Sequence, residues 1–463
     1  MTDPKFAHPD TIRARFSAAM SYMYRNEVPA YGTLMSLVSD VNQRVLDADP
    51  ILAGNMRWTG QLARVSEERH GAIRVGTAEE LSTIRRLFAV MGMHPVGYYD
   101  LTEAGVPVHS TAFRPIGEEA LRRNPFRVFT SLLRLDLIAD EDLRAEAARL
   151  LESRKIFTDR CLVLIERSEK QGGLTEEEAA DFVNEALETF RWHADALVDR
   201  ALYQRLHDAH RLIADVVSFR GPHINHLTPR TLDIDAVQKM MPERGISPKA
   251  VIEGPPRRKC PILLRQTSFK ALEEAVNFAG EQGHHTARFG EIEARGQALT
   301  PKGKALYDRL LTETRNRVQP RADGSNAAEY VATLNEVFAA FPDDLDSIRS
   351  QQLGYFEYSV TEKAQNLSGK VFAGDPDTLM AAGYLRADPI VYEDFLPVSA
   401  AGIFQSNLGD EAGQEFEASP NQTRFQEALG APVQDEFQLY QDIQDSSLAR
   451  CLKVLQGHER EIA

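Results

Sequence analysis

Two stretches of this chain decide its fold because they share one spacing: His70-Gly-Ala-Ile-Arg74-Val-Gly-Thr77 and His226-Leu-Thr-Pro-Arg230-Thr-Leu-Asp233. Each begins with histidine, has arginine four residues later and reaches Thr or Asp seven residues later. Thr and Asp are favoured at helix N-caps, so each stretch predicts a strand that leads directly into a helix. An internal repeat of this kind sets the architecture of the units that contain it. We therefore expect a duplicated unit.

Each predicted helix is followed by three runs that are typical of strands. After Thr77 an apolar row at helical spacing ends at Gly92, and after Asp233 a shorter helix ends at Pro242. The strand runs are His94 to Tyr99, Val106 to Arg114 and Phe126 to Leu137 in the first unit, and Lys249 to Glu253, Ile262 to Phe269 and Ala287 to Ala294 in the second. The pattern is a βαβββ unit that occurs twice.

The last strands of the two units can be aligned on arginine. Arg127 and Arg134 frame the first, Arg288 and Arg295 frame the second, and six residues separate the arginines in both. In this frame the residue equivalent to Glu291 is a threonine. We predict an α+β fold in which two βαβββ modules form a curved mixed sheet around a metal, with large helical elaborations.

Helical periodicity surrounds and separates the two units. Apolar residues from Ile12 to Met23 recur at helical spacing behind Asp10, and a capping box at Thr175 opens another amphipathic helix. The sequence predicts five segments: N-terminal helices at 1–65, the first module at 66–138, a helical insertion at 139–217, the second module at 218–297 and a helical and mixed C-terminal extension at 298–463 that closes the site.

Composition excludes several classes of protein. The chain has 463 residues, of which 43% are hydrophobic and 26% charged, as in an ordinary globular protein. A net charge of −15 without a basic patch argues against nucleic-acid or anionic-lipid partners. Three scattered cysteines argue against a disulfide framework or a thiolate metal site, and no apolar run is long enough to span a membrane. We expect a cytoplasmic protein; its oligomeric state is not set by the sequence.

Histidine on the first strand of each unit and a carboxylate on a last strand predict a metal site where the units meet. The ligands available are His70, His226 and Glu291. Two imidazoles and one carboxylate bind one face of an octahedral iron(II) and leave the other positions for substrate and oxygen. Thr130, the counterpart of Glu291, is too weak a donor to close the coordination sphere. An open sphere predicts a catalytic Fe(2+) centre.

Alternative assignments compete with this ligand set. A histidine in a strand is most often structural. His223 precedes the second ligand histidine by three residues, and Glu293 shares a strand face with the proposed carboxylate because side chains alternate with period two. The alignment of the two repeats favours His226 over His223 and Glu291 over Glu293. The adjacent His284 and His285 are expected in a solvated loop rather than in a second site.

The motifs also carry a family resemblance. Essentially the whole chain resembles the bacterial 2-oxoadipate dioxygenase/decarboxylase (D-2-hydroxyglutarate synthase) family, in the stretches Arg69-His-Gly-Ala-Ile-Arg74, Gly221-Pro-His-Ile-Asn-His226-Leu-Thr-Pro-Arg230, Phe289-Gly-Glu-Ile-Glu293 and Tyr392-Glu-Asp-Phe-Leu-Pro-Val-Ser-Ala-Ala-Gly-Ile-Phe404. The resemblance implies a vicinal oxygen chelate fold, an iron(II) centre, and conversion of 2-oxoadipate and O2 to D-2-hydroxyglutarate and CO2 in D-lysine breakdown.

The resemblance also implies roles for individual residues. The family's metal ligands fall on His70, His226 and Glu291. Its substrate-binding positions fall on His70, Arg74, His226, Val398 and Ser399. The segment Glu291-Ile-Glu-Ala-Arg295 is similar to the iron-binding strand of 4-hydroxyphenylpyruvate dioxygenase, a more distant relative, which again favours Glu291 over Glu293.

Arg74 has a plausible physical task in such a reaction. Residues four apart on a strand share a face about 13 Å apart at Cα, so an arginine leaning toward His70 leaves a gap for a short dicarboxylate. A planar guanidinium can bind the distal carboxylate of a 2-oxo diacid bidentately. Arg74 could instead pair with a structural acid. Other functions stay open: a non-redox isomerase or lyase of the same superfamily, or a non-catalytic ligand-binding protein.

Overall fold

The chain folds into a mixture of helices and small sheets, which confirms the α+β prediction. The computed structural model describes residues 6–66, 68–321, 323–366, 374–396 and 420–455. Within those ranges, every helix is too short or too polar to cross a bilayer.

Three helices begin the described chain: α1 (Pro9–Glu27), α2 (Pro29–Ala48) and α3 (Pro50–Trp58). Each has proline in its first turn, where no backbone N–H is needed for the helix. The apolar row from Ile12 to Met23 is buried, as its spacing predicts. Tyr24 extends this row to the sheet, where its hydroxyl lies 2.9 Å from the carbonyl oxygen of Asn225 and 2.7 Å from that of Phe289.

The first predicted unit contains β1 (Glu68–Val75), α4 (Ala78–Val90), β2 (Met93–Asp100), β3 (Val108–Pro115), α5 (Glu118–Arg123) and β4 (Arg127–Leu133). Thr77 and Glu80 form the capping box that starts α4, and Gly92 adopts a φ of 65° after the helix ends. All three predicted strands form, but the last one ends at Leu133, and its predicted end at Leu137 is wrong because Leu135–Leu137 form a short 3-10 helix. Helix α5 was not predicted. Strand β1 pairs parallel to β4, while β2, β3 and β4 are antiparallel neighbours.

The helical insertion consists of α6 (Glu141–Ser153), α7 (Asp159–Gln171), α8 (Glu176–Glu188), the short strand β5 (Asp195–Ala196), α9 (Arg200–Ala209) and α10 (Arg211–Val217). Its capping box at Thr175 is present, with Glu178 bonded back to the N-cap backbone. Helix α10 is almost completely buried and lies just before the second unit in the chain.

The second unit contains β6 (Leu227–Pro229), α11 (Ile234–Met240), β7 (Leu264–Ser268), β8 (Glu273–Phe278), β9 (Glu281–Thr286) and β10 (Glu291–Arg295). The strand predicted from Lys249 to Glu253 is wrong: this segment makes two isolated bridges, Pro248 to Phe269 and Glu253 to Gln266. The backbone bends at Ala250 and Val251, between the two bridges, so no continuous strand forms. The hairpin β8–β9 was not predicted and pairs with β5.

The two units meet at their first strands. Strand β6 pairs antiparallel with β1, so the larger sheet has the order β2-β3-β4-β1-β6. Gly71 allows this approach, since a Cβ there would lie 2.5 Å from a methyl carbon of Ile224 and 3.0 Å from the carbonyl oxygen of His226. Strands β7 and β10 form a separate antiparallel pair, and a parallel bridge from Arg230 to Glu293 connects β10 to the end of β6.

The C-terminal extension contains α12 (Pro301–Arg317), α13 (Ala327–Phe338), α14 (Leu345–Ser350), β11 (Phe356–Val360), α15 (Glu362–Gln365), α16 (Pro376–Ala381), β12 (Leu385–Pro389), α17 (Pro420–Leu429) and α18 (Glu436–Leu455). Strands β11 and β12 form an antiparallel hairpin. An apolar core around Tyr307, Leu334 and Phe356 joins the extension to the second unit, which contributes Ile262 and Leu264. After β12, residues 390–396 return to the first unit, where Asp394 bonds Arg114 of β3.

Candidate metal centre and adjoining cavity

The three predicted ligands lie together at the meeting point of the units. His70 is on β1, His226 directly precedes β6 and Glu291 begins β10, and all three are fully buried. One ligand atom from each lies within 4.8 Å of the others. Nε2 of His70 is 3.0 Å from Oε1 of Glu291, and the two imidazole rings meet edge to face with centroids 5.4 Å apart.

The donor atoms of this cluster fit a divalent metal ion. Three atoms of the cluster have no hydrogen-bond partner among the residues that the structure describes: both ring nitrogens of His226 and Oε2 of Glu291. A buried polar atom without a partner is costly, so such atoms call for a ligand. Two imidazoles and a carboxylate are a donor set for first-row metals such as iron(II), and three ligands leave coordination positions open.

The electrostatics of the cluster suit metal binding. Burial, followed by the positive charges of His70 and Arg74, lowers the pKa of His226 well below its usual value, so its imidazole is neutral. Burial raises the pKa of Glu291, with His70 opposing the shift. Burial lowers the pKa of His70, but Glu293 and Glu291 outweigh it and the pKa lies above the ordinary value. The pocket therefore stabilises positive charge between the carboxylates.

A second layer of side chains orients the candidate ligands. Oε2 of Glu293 lies 3.1 Å from Nδ1 of His70, on the ring edge opposite Glu291. Both oxygens of Glu293 accept from Arg295, at 2.7 and 2.9 Å. Oε1 of Glu291 accepts from Gln266 at 2.7 Å and from Thr228 at 3.2 Å. A carboxylate on the second nitrogen of a ligating histidine fixes its tautomer and ring orientation.

The alternative residues that the sequence left open lie in different places from the candidate ligands. Alternation placed Glu291 and Glu293 on one strand face, and both do face His70. Glu291 belongs to the three-residue cluster, whereas Glu293 contacts the far side of the His70 ring. His223 lies outside the cluster, with its Nε2 3.3 Å from Oδ1 of Asp215.

Aromatic rings enclose the cluster. The Phe395 ring meets the His70 ring edge to face at 4.8 Å between centroids, and Phe289 lies 4.8 Å from His226. Phe129 packs against Phe395 at 5.2 Å. These rings limit the access of water to the open positions of a bound metal.

A cavity of about 830 Å³ adjoins the cluster. Phe289, which packs on His226, and Ser268, which pairs with Glu291 in the β7–β10 ladder, both line it. Its wall carries charges of both signs, contributed by Arg74, Arg211, Lys249, Lys270, Arg321, Asp215, Glu253, Glu273 and Asp323. Polar and charged groups on a cavity wall fix the orientation of a small ligand.

Arg74 lines this cavity, but it also has a protein partner. Its Nη1 donates to Oδ2 of Asp215 at 2.6 Å, so the pairing with a structural acid that the sequence left open does occur. The loop predicted for the two adjacent histidines is wrong, because both lie on strand β9, and His285 is 5% exposed with its Nε2 2.9 Å from Oδ1 of Asp215. His284, its neighbour, is exposed, as expected.

Asp215 was missed by sequence reasoning. It lies inside the buried helix α10 at a distance of 141 residues from Arg74 in the chain, and no motif surrounds it. The two adjacent histidines were the available signal, since one of them bonds this aspartate. The predicted substrate contacts Val398 and Ser399 lie outside the described residues.

The segment that leads to these two positions is held by buried ion pairs. Glu393 accepts from Arg64 at 2.7 Å and from Arg127. Asp394 accepts from Arg114 at 2.6 and 3.1 Å, and from Tyr440 at 2.5 Å. Burial would raise the pKa of Glu393, but the surrounding arginines hold it well below its usual value. These charges fix the chain at residue 394, beside the metal cluster.

Fold and site together define an α+β protein with a buried cluster of two histidines and one carboxylate that lies beside a polar cavity. The family model for 2-oxoadipate dioxygenase/decarboxylase matches residues 16–407. Curated 2-oxoadipate dioxygenase/decarboxylases of Pseudomonas putida and Escherichia coli are both 59% identical to this chain, over 97% and 96% of it and 98% of each relative. The chain belongs to the 2-oxoadipate dioxygenase/decarboxylase family.

A solved structure agrees with this membership. The hydroxyglutarate synthase of Pseudomonas putida in complex with 2-oxoadipate superposes with a TM-score of 0.92 at 58% identity, covering 98% of this chain and 100% of that one. The predicted family resemblance is thus confirmed.

Proposed function

We propose that this protein is an iron(II)-dependent dioxygenase that converts 2-oxoadipate and O2 into D-2-hydroxyglutarate and CO2, in D-lysine catabolism in the cytoplasm. The observation that carries the proposal is the buried cluster of His70, His226 and Glu291 in a chain of this family. The reaction balances, since one oxygen atom enters the new carboxylate and the other the new hydroxyl, and one carbon leaves as CO2.

His70, His226 and Glu291 would hold the metal and leave adjacent positions for the 2-oxo acid and O2. Iron(II) bound there would supply the electrons that triplet O2 needs and would bring both reactants together. The neutral imidazole of His226 is available as a donor because its pKa is lowered by burial. Glu293 would keep the proton on Nδ1 of His70, so that Nε2 points at the metal.

The substrate would lie in the adjoining cavity. Its 2-oxo carboxylate end would face the metal, close to His70 and His226, and its distal carboxylate would bind Arg74. Backbone groups of Val398 and Ser399 would complete the contacts, following the ion-paired segment at Glu393 and Asp394. Phe289 and Phe395 would exclude water from the reacting atoms.

The same proposal covers the architecture. The units at 66–138 and 218–297 would correspond to two modules of a vicinal oxygen chelate core around the metal. Segments 1–65, 139–217 and 298–463 would be the N-terminal helices, the helical insertion and the extension that closes the site. The shared first-strand pairing of β1 and β6 supports this division.

Anaerobic loading with iron(II), followed by addition of O2 and 2-oxoadipate, tests the function. We expect O2 uptake, CO2 release and 2-hydroxyglutarate in equal amounts, and no turnover with zinc. Turnover without O2, with zinc, nickel or manganese, would instead indicate a non-redox isomerase or lyase. Binding of 2-oxoadipate without turnover under any metal would indicate a ligand-binding protein.

A further inference from the structure

We propose that Asp215 is a positioning residue that sets the preference for dicarboxylates by fixing the guanidinium of Arg74 at the cavity wall. The proposal rests on the proposed function, in which Arg74 receives the distal carboxylate. In this proposal, residues of the helical insertion (α9 and α10) and of the unpredicted hairpin (β9) contribute to the substrate specificity of the site.

Both oxygens of Asp215 are occupied by different partners. Oδ2 accepts from Nη1 of Arg74 at 2.6 Å, and Oδ1 lies 2.9 Å from Nε2 of His285 and 3.3 Å from Nε2 of His223. Partners on both oxygens prevent rotation of the carboxylate about its last bond. Although burial opposes ionisation, His223 and Arg74 keep the pKa of Asp215 well below its usual value. A charged, fixed acceptor therefore faces Arg74.

His285 is itself fixed. The hydroxyl of Tyr203 lies 2.8 Å from its Nδ1, so both ring nitrogens of His285 are engaged. Its ring is parallel to that of Trp192, at 6.2 Å and an interplanar angle of 5°, and Phe219 packs on it at 4.8 Å. The network runs from Tyr203 through His285 and Asp215 to Arg74.

The network crosses four elements: β1 contributes Arg74, α10 contributes Asp215, β9 contributes His285 and α9 contributes Tyr203. All four residues also line the cavity. Long side chains such as arginine have many rotamers, and bidentate recognition of a carboxylate requires one orientation of the guanidinium plane. A guanidinium has five N–H donors, so Arg74 can keep its bond to Asp215, which restricts its orientation, while it also contacts a ligand.

The test compares equilibrium binding of 2-oxoadipate with that of 2-oxohexanoate, the matched monocarboxylate, by anaerobic calorimetry on iron-loaded protein. In the unmutated protein we expect a strong preference for 2-oxoadipate. Asp215→Ala should reduce this preference by about 10- to 100-fold, the usual effect of losing a hydrogen bond to a charged group. Iron content should be unchanged, which a general disturbance of the site would not allow.

A double-mutant cycle separates positioning from stability. In an Arg74→Met background, Asp215→Ala should change the preference no further, because Asp215 acts through Arg74. Asp235→Ala is the matched control, since it removes another arginine–aspartate pair, with Arg265, that does not line the cavity. If Asp215→Ala does not fold, Tyr203→Phe takes its place in the same test. It should reduce the preference for 2-oxoadipate by about threefold, and it should have no such effect in the Arg74→Met background.

The outcomes distinguish this proposal from the function itself. An undiminished preference in Asp215→Ala or, failing that, in Tyr203→Phe would overturn the role of Asp215 and leave the dioxygenase proposal intact. The same loss of preference with and without Arg74 would also overturn it. Preferential binding of 2-oxoadipate that depends on Asp215, but without turnover, would refute the proposed reaction alone. Absence of any preference in the unmutated protein would overturn the positioning role.

Discussion

Glu293→Gln tests whether this carboxylate orients a ligand rather than binds the metal. The substitution keeps the size of the side chain but removes its charge, and its amide nitrogen must face either Arg295 or the Nδ1–H of His70. Breaking a buried ion pair costs about 3–5 kcal/mol. We expect a loss of stability at the lower end of this range, about 3 kcal/mol, because Nη1 of Arg295 keeps its hydrogen bonds to the carbonyl oxygens of Tyr392 and Asp394.

The effect on the metal should be moderate. Loss of a partner that orients a ligating histidine weakens metal binding by about 10- to 100-fold, whereas loss of a ligand should abolish it. Competition with a chelator under anaerobic conditions measures iron affinity, and urea unfolding of the metal-free protein measures stability. Glu291→Gln, on the same face of the same strand, is the matched control. Iron retained by Glu291→Gln and lost by Glu293→Gln would refute the assignment, as would wild-type iron affinity and stability in Glu293→Gln.

Three further predictions follow from the same geometry. His226→Ala should eliminate iron binding, measured by metal analysis, because its neutral ring has no hydrogen-bond partner among the described residues; a variant with full iron content would contradict this. Arg74→Met should remove the preference in kcat/KM for 2-oxoadipate over 2-oxohexanoate, an expected difference of about 1.5–3 kcal/mol in the unmutated protein, where Arg74 keeps Asp215 as a partner with either substrate. Burial and the nearby Glu118 raise the pKa of Glu357 from 4.5 to about 7. Between these pH values the folded chain holds a proton that the unfolded chain releases, so the free energy of unfolding falls as the pH rises from 4.5 to about 7. Glu357→Gln should be about 1 kcal/mol more stable than the unmutated protein at pH 8 and equally stable at pH 4 in urea unfolding, and a pH-independent difference would argue against the shift.

The first unit was predictable from sequence because its local signals agree. The capping box of Thr77 and Glu80, the apolar row of α4 and Gly92 at its end mark one helix, and runs typical of strands follow it. The second unit has weaker signals. Its predicted second strand begins beside Pro248 and is bounded by Pro255 and Pro256, and only isolated bridges form there.

The hairpin β8–β9 was missed because its turn lacks the usual residues. Ala279 and Gly280 both have positive φ, at 52° and 97°, which is the pattern of a two-residue hairpin turn. Asn or Asp is usual at the first of these positions, so alanine gave little indication of a turn. This hairpin is what carries His285 to Asp215.

The metal cluster could be predicted from the sequence because equivalent residues of the two repeated units lie where the units meet. His70 and His226 open the two units, and β1 pairs with β6. The surrounding contacts were not predictable in the same way. Arg74 and Asp215 are 141 residues apart, and the partner of a buried charge depends on packing between elements rather than on a local pattern.

The fate of the oxygen atoms tests the central claim most directly. Iron-loaded protein is given 2-oxoadipate under isotopically labelled O2, and the product is analysed by mass spectrometry. Dioxygenation predicts one labelled atom in the new carboxylate of 2-hydroxyglutarate and one in its hydroxyl; exchange with water can dilute the hydroxyl label, so the carboxylate label is decisive. CO2 release with no label in the carboxylate would contradict dioxygenation and identify a metal-dependent decarboxylase instead.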